Sequence, residues 1–164
     1  ITNPRILRAM KENDILAYIQ PVFVDLDMNT VEPAIGTHRM EGIYAWKTML
    51  DLGIHASGGS DAPVVSFDAM ENIYFAVTRK NINGEPKEGW IPSERLTVDE
   101  AVKLFTKYAA YASYTEDENG TIETGKNADF VVLEKDLYEI DPDEIKTTKV
   151  DMTILGGETV FERK

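Results

Sequence analysis

Apolar positions recur along the first hundred residues with two alternating periods. Ile6, Leu7 and Met10 stand at helical spacing behind Pro4, which predicts a helix over Pro4–Glu12. Ile15-Leu16-Ala17-Tyr18-Ile19 then forms an almost continuous apolar run that stops at Gln20-Pro21. Such a run predicts a strand covered on both faces, as in a parallel sheet flanked by helices. Residues 22–40 hold no clear period and carry several acids, so they read as a long loop, a kind that is more often functional than idle. Helical spacing returns over Glu41–Leu52, with Ile43, Trp46 and Leu50 on one face and Gly53 as the stop. A short apolar strand, Ile54-His55-Ala56-Ser57, runs straight into Gly58-Gly59-Ser60-Asp61. Two closely spaced alternations of helix and strand point to βα units.

Asp68–Arg79 reads as a further helix, and Asn83-Gly84-Glu85-Pro86 as a turn-rich insert. Thr97 and Glu100 have the spacing of a capping box, opening a helix with an apolar stripe at Val102, Phe105, Ala109 and Ala112. The character changes after about Tyr114. Asn119-Gly120 and Gly125 punctuate short segments, and Phe130-Val131-Val132-Leu133 reads as a strand. Residues 150–155 alternate, Gly156-Gly157 supplies a two-residue turn, and residues 158–161 return, which predicts a hairpin with Val150, Met152 and Ile154 on its buried face. The expected organisation is a βα portion over residues 1–115 and a small β portion over 116–164.

Composition narrows the function classes. The chain has 164 residues and 43% apolar residues, enough for one cored domain with a small appendage. With 17 Lys+Arg against 29 Asp+Glu the formal net charge is −12, which repels phosphate backbones and anionic lipid. No nucleic-acid or membrane partner is expected. The absence of Cys removes thiolate chemistry and fits a reducing, cytoplasmic setting. Only His38 and His55 are available as histidine ligands, a thin inventory for a zinc site. The first residue is Ile1 rather than Met, so a trimmed chain is expected.

The chemistry-bearing stretch is Gly58-Gly59-Ser60-Asp61-Ala62-Pro63-Val64. It begins where a buried strand ends, the edge at which parallel βα folds gather active-site residues. Small residues before Asp61 leave room for close backbone approach, and a carboxylate there suits a hard or borderline cation or a proton transfer. The plainer alternative is an Asp that caps the following turn, with Pro63 fixing it. A phosphate-binding reading of Gly58-Gly59-Ser60 fails because no P-loop Lys follows.

Gly59-Ser60-Asp61-Ala62-Pro63-Val64, Ala76-Val77-Thr78-Arg79, Gly89-Trp90, Leu96-Thr97 and the run Gly120–Leu133 together resemble the amidohydrolase superfamily. The resemblance is to its family 3 branch, which includes N-substituted formamide deformylases. Gln20-Pro21, Tyr44-Ala45-Trp46 and Gly156-Gly157-Glu158-Thr159-Val160 follow in the matching order, so it spans roughly residues 15–162. It implies the C-terminal part of an α/β, (β/α)₈ metal-dependent hydrolase barrel, residues 15–20 and 54–60 being strands 7 and 8, followed by part of a small β-sandwich. Asp61 maps onto the strand-8 aspartate, a metal ligand and catalytic acid–base group. No His-x-His pair and no strand-5 or strand-6 histidine is present.

The expected function is therefore a C-terminal fragment of an enzyme cleaving non-peptide C–N bonds of amide or formamide type. Zinc or a similar divalent metal would serve the full-length enzyme, with none held tightly by this chain alone. Expected partners are a small-molecule amide, the missing N-terminal portion and, through open strand edges, further copies of the chain. Gln20 and His38, on the active-site edge, are the substrate-binding candidates, although a solvated loop histidine is the commoner case. His55, at the far end of its strand, reads as structural, Asp25 and Asp27 as solvated loop acids or contacts to a substrate amine. A non-catalytic association module is the rival reading.

Overall fold

The computed structural model describes all residues, 1–164. Helix α1 (Pro4–Glu12) is capped by Asn3, whose side chain accepts from the Ile6 amide, and Pro4 sits in its first turn. It leads to β1 (Ala17–Ile19), which pairs in parallel with β2 (Ala56–Gly58) in the register Ala17↔Ala56 and Ile19↔Gly58. Between them the chain forms α2 (Phe23–Asp27), α3 (Val31–Ile35), a 3₁₀ turn at Thr37–Arg39 and α4 (Trp46–Asp51). After β2 come α5 (Ala69–Thr78), a 3₁₀ turn at Pro92–Glu94, and the paired helices α6 (Val98–Leu104) and α7 (Lys107–Ala112). Strands β3 (Phe130–Leu133), β4 (Val150–Leu155) and β5 (Glu158–Glu162) form a separate antiparallel sheet in that order, with a 3₁₀ stretch at Pro142–Thr147.

Several sequence expectations need correction. Residues 22–40 are not a loop: α2 forms where Val22, Val24 and Met28 reach the core, and α3 where Val31 and Ile35 pack against it partly buried. The helix expected from Glu41 starts only at Trp46, since Gly42 and Tyr44 hold positive φ (84° and 46°) that an α-helix cannot accommodate. The first strand is shorter than its apolar run and covered on one side only, with Ile15 and Tyr18 exposed. The helix opened by the capping box breaks at Phe105-Thr106, Thr106 adopting φ −128° and ψ −97°. Packing explains the break. A Cβ on Gly58 would stand 2.6 Å from Phe105 Cζ, so the ring lies directly on the strand and the chain turns around it.

One core joins most of these elements. Leu7, Ile19, Trp46, Ile54, Tyr74, Phe75, Leu104 and Ile145 all lie in it. Ile145 is fully buried and belongs to the 3₁₀ stretch that packs on α5, so the chain after residue 115 also contributes to it. The C-terminal sheet is different. Its Gly156-Gly157 turn has both φ values positive (58° and 83°), matching the tight hairpin expected. The expected division into buried and wet faces is not found: β4 is half-buried over Val150–Thr153, with Ile154 alone buried. A register shift at Thr153/Ile154 interrupts the alternation.

Candidate functional site

The site is built on the C-terminal edge of the parallel pair. The Gly59 amide donates to Ile19 O (2.9 Å), continuing the ladder one residue beyond β2, so Gln20 and Ser60-Asp61 leave the sheet from the same edge. That follows from parallel pairing, which puts both strand ends together. Asp61 has a left-handed backbone (φ 62°) and its carbonyl accepts from the Val64 amide (2.9 Å), closing a turn that presents the side chain to solvent. An aspartate tolerates this region better than most residues. Its carboxylate is not occupied in capping any helix; Asp68 does that for α5, accepting from Met70 (2.8 Å).

Both connections from this edge fold over it and tie to each other. The Val22 amide donates to Oδ1 of buried Asn72 (3.2 Å), and the Ile82 amide donates to Asp25 Oδ1 (2.8 Å). Asp25 is thus a structural acceptor rather than a solvated acid. The strongest tie is Arg79, which ends α5 with φ 56° and is fully buried. Its Nε donates to Trp90 O (2.8 Å) and its Nη1 to Tyr44 O (3.0 Å), while the guanidinium stacks on Trp46 at 4.7 Å and on Trp90 at 5.5 Å. Burial pulls its pKa down to about 10, opposed by the charge of Glu94, so it stays cationic at neutral pH. Tyr44 in turn donates through its hydroxyl to Asp27. Burial, that bond and the Asp27 charge hold the phenol well above its ordinary range, so it is a donor throughout the physiological interval.

Sequence reasoning found Arg79, Trp90 and Tyr44 in the motifs but attached no role to them. The available signal was an arginine inside an otherwise apolar helix end, Tyr74-Phe75-Ala76-Val77-Thr78-Arg79, flanked in sequence order by two tryptophans. The structure does not bring His38 to Gln20 and Asp61. His38 is exposed in the 3₁₀ turn and lines a depression of about 360 Å³ with Thr2, Glu41 and Glu94, beside the start of α1. His55 lies at the opposite end of β2 from Asp61, its ring 4.2 Å from that of Tyr111.

The donor chemistry of this chain does not fit a metal centre by itself. No group of three or more His, Cys, Asp or Glu side chains stands close enough to hold an ion. A cavity of about 970 Å³ lies elsewhere, between α6–α7 and β3, lined by Val102, Phe105, Ala109, Phe130, Val132 and Leu137 among others. Its acids are engaged: Asp129 accepts from the Gly156 amide (2.6 Å), and Glu134 from the Lys149 amide and Arg163. We read it as a packing surface rather than a reaction site. No helix is long and apolar enough to cross a membrane.

Comparison with known proteins places this geometry in context. Residues 1–161 match the model of the "Amidohydrolase family". Amidohydrolase YtcJ of Bacillus subtilis is 38% identical over 145 residues, covering 88% of this chain and 27% of that protein. The N-substituted formamide deformylase of Arthrobacter pascens is 34% identical over 121 residues, covering 74% of this chain and 22% of that protein. A metal-dependent hydrolase structure from Pyrococcus horikoshii OT3 shares the fold at a TM-score of 0.77 with 20% identity, over 87% of this chain and 29% of that one. The chain thus spans about a quarter of the length of the curated relatives it matches.

Proposed function

Because this chain belongs to the amidohydrolase family, we propose that it supplies the C-terminal part of a metal-dependent hydrolase acting on non-peptide C–N bonds of amide or formamide type. In this reading β1 and β2 are the last two strands of a (β/α)₈ barrel. Residues 1–115 belong to that barrel and 116–164 to a small β domain. Asp61 is the catalytic carboxylate and one ligand of a zinc or similar divalent ion, whose other ligands lie outside this chain. Gln20, on the same strand edge, contacts substrate; His38 reaches it only from the periphery. No observation favours the non-catalytic module.

The observation that carries the reading is the parallel pair itself. A two-stranded parallel sheet has little independent stability, and here it presents an exposed, otherwise unengaged aspartate at the edge where such folds do chemistry. The name of one relative, an N-substituted formamide deformylase, supports the substrate class. The same unpaired edges are the reason to expect self-association of the isolated chain, and light scattering reads that directly.

Asp61→Asn separates chemistry from folding. In the full-length protein it should abolish turnover of N-formyl and N-acyl amines and lower metal content. In the present chain it should leave the melting temperature unchanged, because the carboxylate makes no contact that holds the fold. Normal turnover with normal metal content would remove Asp61 from the site.

A further inference from the structure

A small cavity sits in the connection from β1 to α4, away from the Asp61 turn. Its volume is about 340 Å³, with walls from Ile1, Val31, Ala34, Ile35 and Ile43 and with Asp27 and Tyr44 as its ionisable side chains. That is the low end of the range for small-molecule pockets, about 300–1,000 Å³, and suits a short branched alkyl group. Asp27 is partly buried, and its Oδ2 accepts from the Tyr44 hydroxyl. Oδ1 has no hydrogen-bond donor, and none of the molecule's ion pairs involves Asp27. Oδ1 is not sealed from solvent, so an incoming cationic N–H donor can reach it and form a charge-assisted bond.

The carboxylate's partner is also held in advance. Tyr44 keeps a left-handed backbone (φ 46°), uncommon and costly for a bulky residue. Its carbonyl accepts from the Trp46 amide (2.8 Å) and Arg79 Nη1 (3.0 Å), and its ring packs at 5.4 Å from Trp46 and 5.9 Å from Trp90. Buried groups thus hold the Tyr44 hydroxyl at Asp27, and with it the orientation of the free oxygen. We propose that this pocket binds the ammonium end of a small aliphatic amine, Asp27 supplying the charge and Val31, Ala34, Ile35 and Ile43 enclosing the alkyl group. The site stands on this geometry alone and holds whether or not Asp61 is catalytic.

The test titrates isoamylammonium chloride into the ¹⁵N-labelled chain at pH 7, with 3-methylbutan-1-ol as the neutral isostere. Saturable amide shifts confined to Thr30–Ile35 and Ile43-Tyr44 are expected, with the alcohol binding at least tenfold more weakly. Asp27→Asn should remove the preference for the ammonium, and Tyr44→Phe should weaken binding while keeping the preference. Ala34→Trp, which fills the cavity from the exposed face of α3, should block both probes, and it decides the matter if Asp27→Asn does not fold. Equal binding of ammonium and alcohol, shifts outside these segments, or unaltered binding by Ala34→Trp would each overturn the assignment.

Discussion

The cap over the parallel strands and the C-terminal sheet contain similarly apolar sequence, yet they end in opposite states. In α5 all residues from Asn72 to Thr78 are buried; Asn72 accepts from the Val22 amide across the connection, and the Thr78 hydroxyl donates to the Tyr74 carbonyl within the helix. In β3 the equally apolar Phe130, Val131 and Val132 are 40%, 51% and 42% exposed, and every residue of β5 is exposed. The difference is one of partners. The cap is closed by three other segments of the same chain, whereas the sheet has the α6–α7 groove on one side, still open. A strand is made by its neighbours along the hydrogen bonds; its burial needs a second layer, which this sheet lacks in this chain. Exposed apolar area of this extent is what an interaction surface looks like.

The sharpest way to break the comparison is Arg79→Met. It removes two charge-assisted bonds, leaving the Trp90 carbonyl without its donor and the Tyr44 carbonyl with the Trp46 amide alone, and should cost roughly 3 kcal/mol in chemical denaturation. Arg79→Lys should recover little, because an ammonium cannot span both carbonyls and stack on two indoles. Survival of either variant with wild-type stability would mean the cap is held by apolar packing alone.

Ile145→Ala probes a place where the C-terminal third enters the shared core, which Leu137 also joins. Ile145 is fully buried against α5, and deleting its methyl groups should cost about 3 kcal/mol. Uncoupled melting of the two regions, with α5 unaffected, would contradict a joint core. Asp129→Ala removes the acceptor for the Gly156 amide at an exposed turn; the expected loss is about 1 kcal/mol, read as faster amide exchange in the hairpin with little change elsewhere. Val131→Thr on the open sheet face should stay within about 0.5 kcal/mol in this chain. In a longer form of the protein that covers the face, the same substitution should cost several times more, and an unchanged effect there would show that the face is never covered.

What could be read from local sequence were features whose physics is local. Pro4 and Asn3 begin α1, Thr97 and Glu100 close a capping box on themselves, and Gly156-Gly157 supplies the two positive φ values that a tight hairpin demands. The place of Asp61 at a strand edge was legible for a related reason: a run of small residues ending a short apolar strand marks such an edge, whatever surrounds it. The helices within 22–40 were not legible, because each is little more than a turn with marginal propensity; α2 rests on the burial of Val24, and α3 on Val31 and Ile35 packing partly buried against the core. Nor was the role of Arg79. Its hydrogen-bond partners lie 35 and 11 residues away, at Tyr44 and Trp90, and no periodicity links them. The sequence by itself determined the caps, the turns, the two parallel strands and the candidate carboxylate. Tertiary structure alone decided which apolar runs were covered and which polar side chains became core, since burial and long-range pairing depend on neighbours distant along the chain.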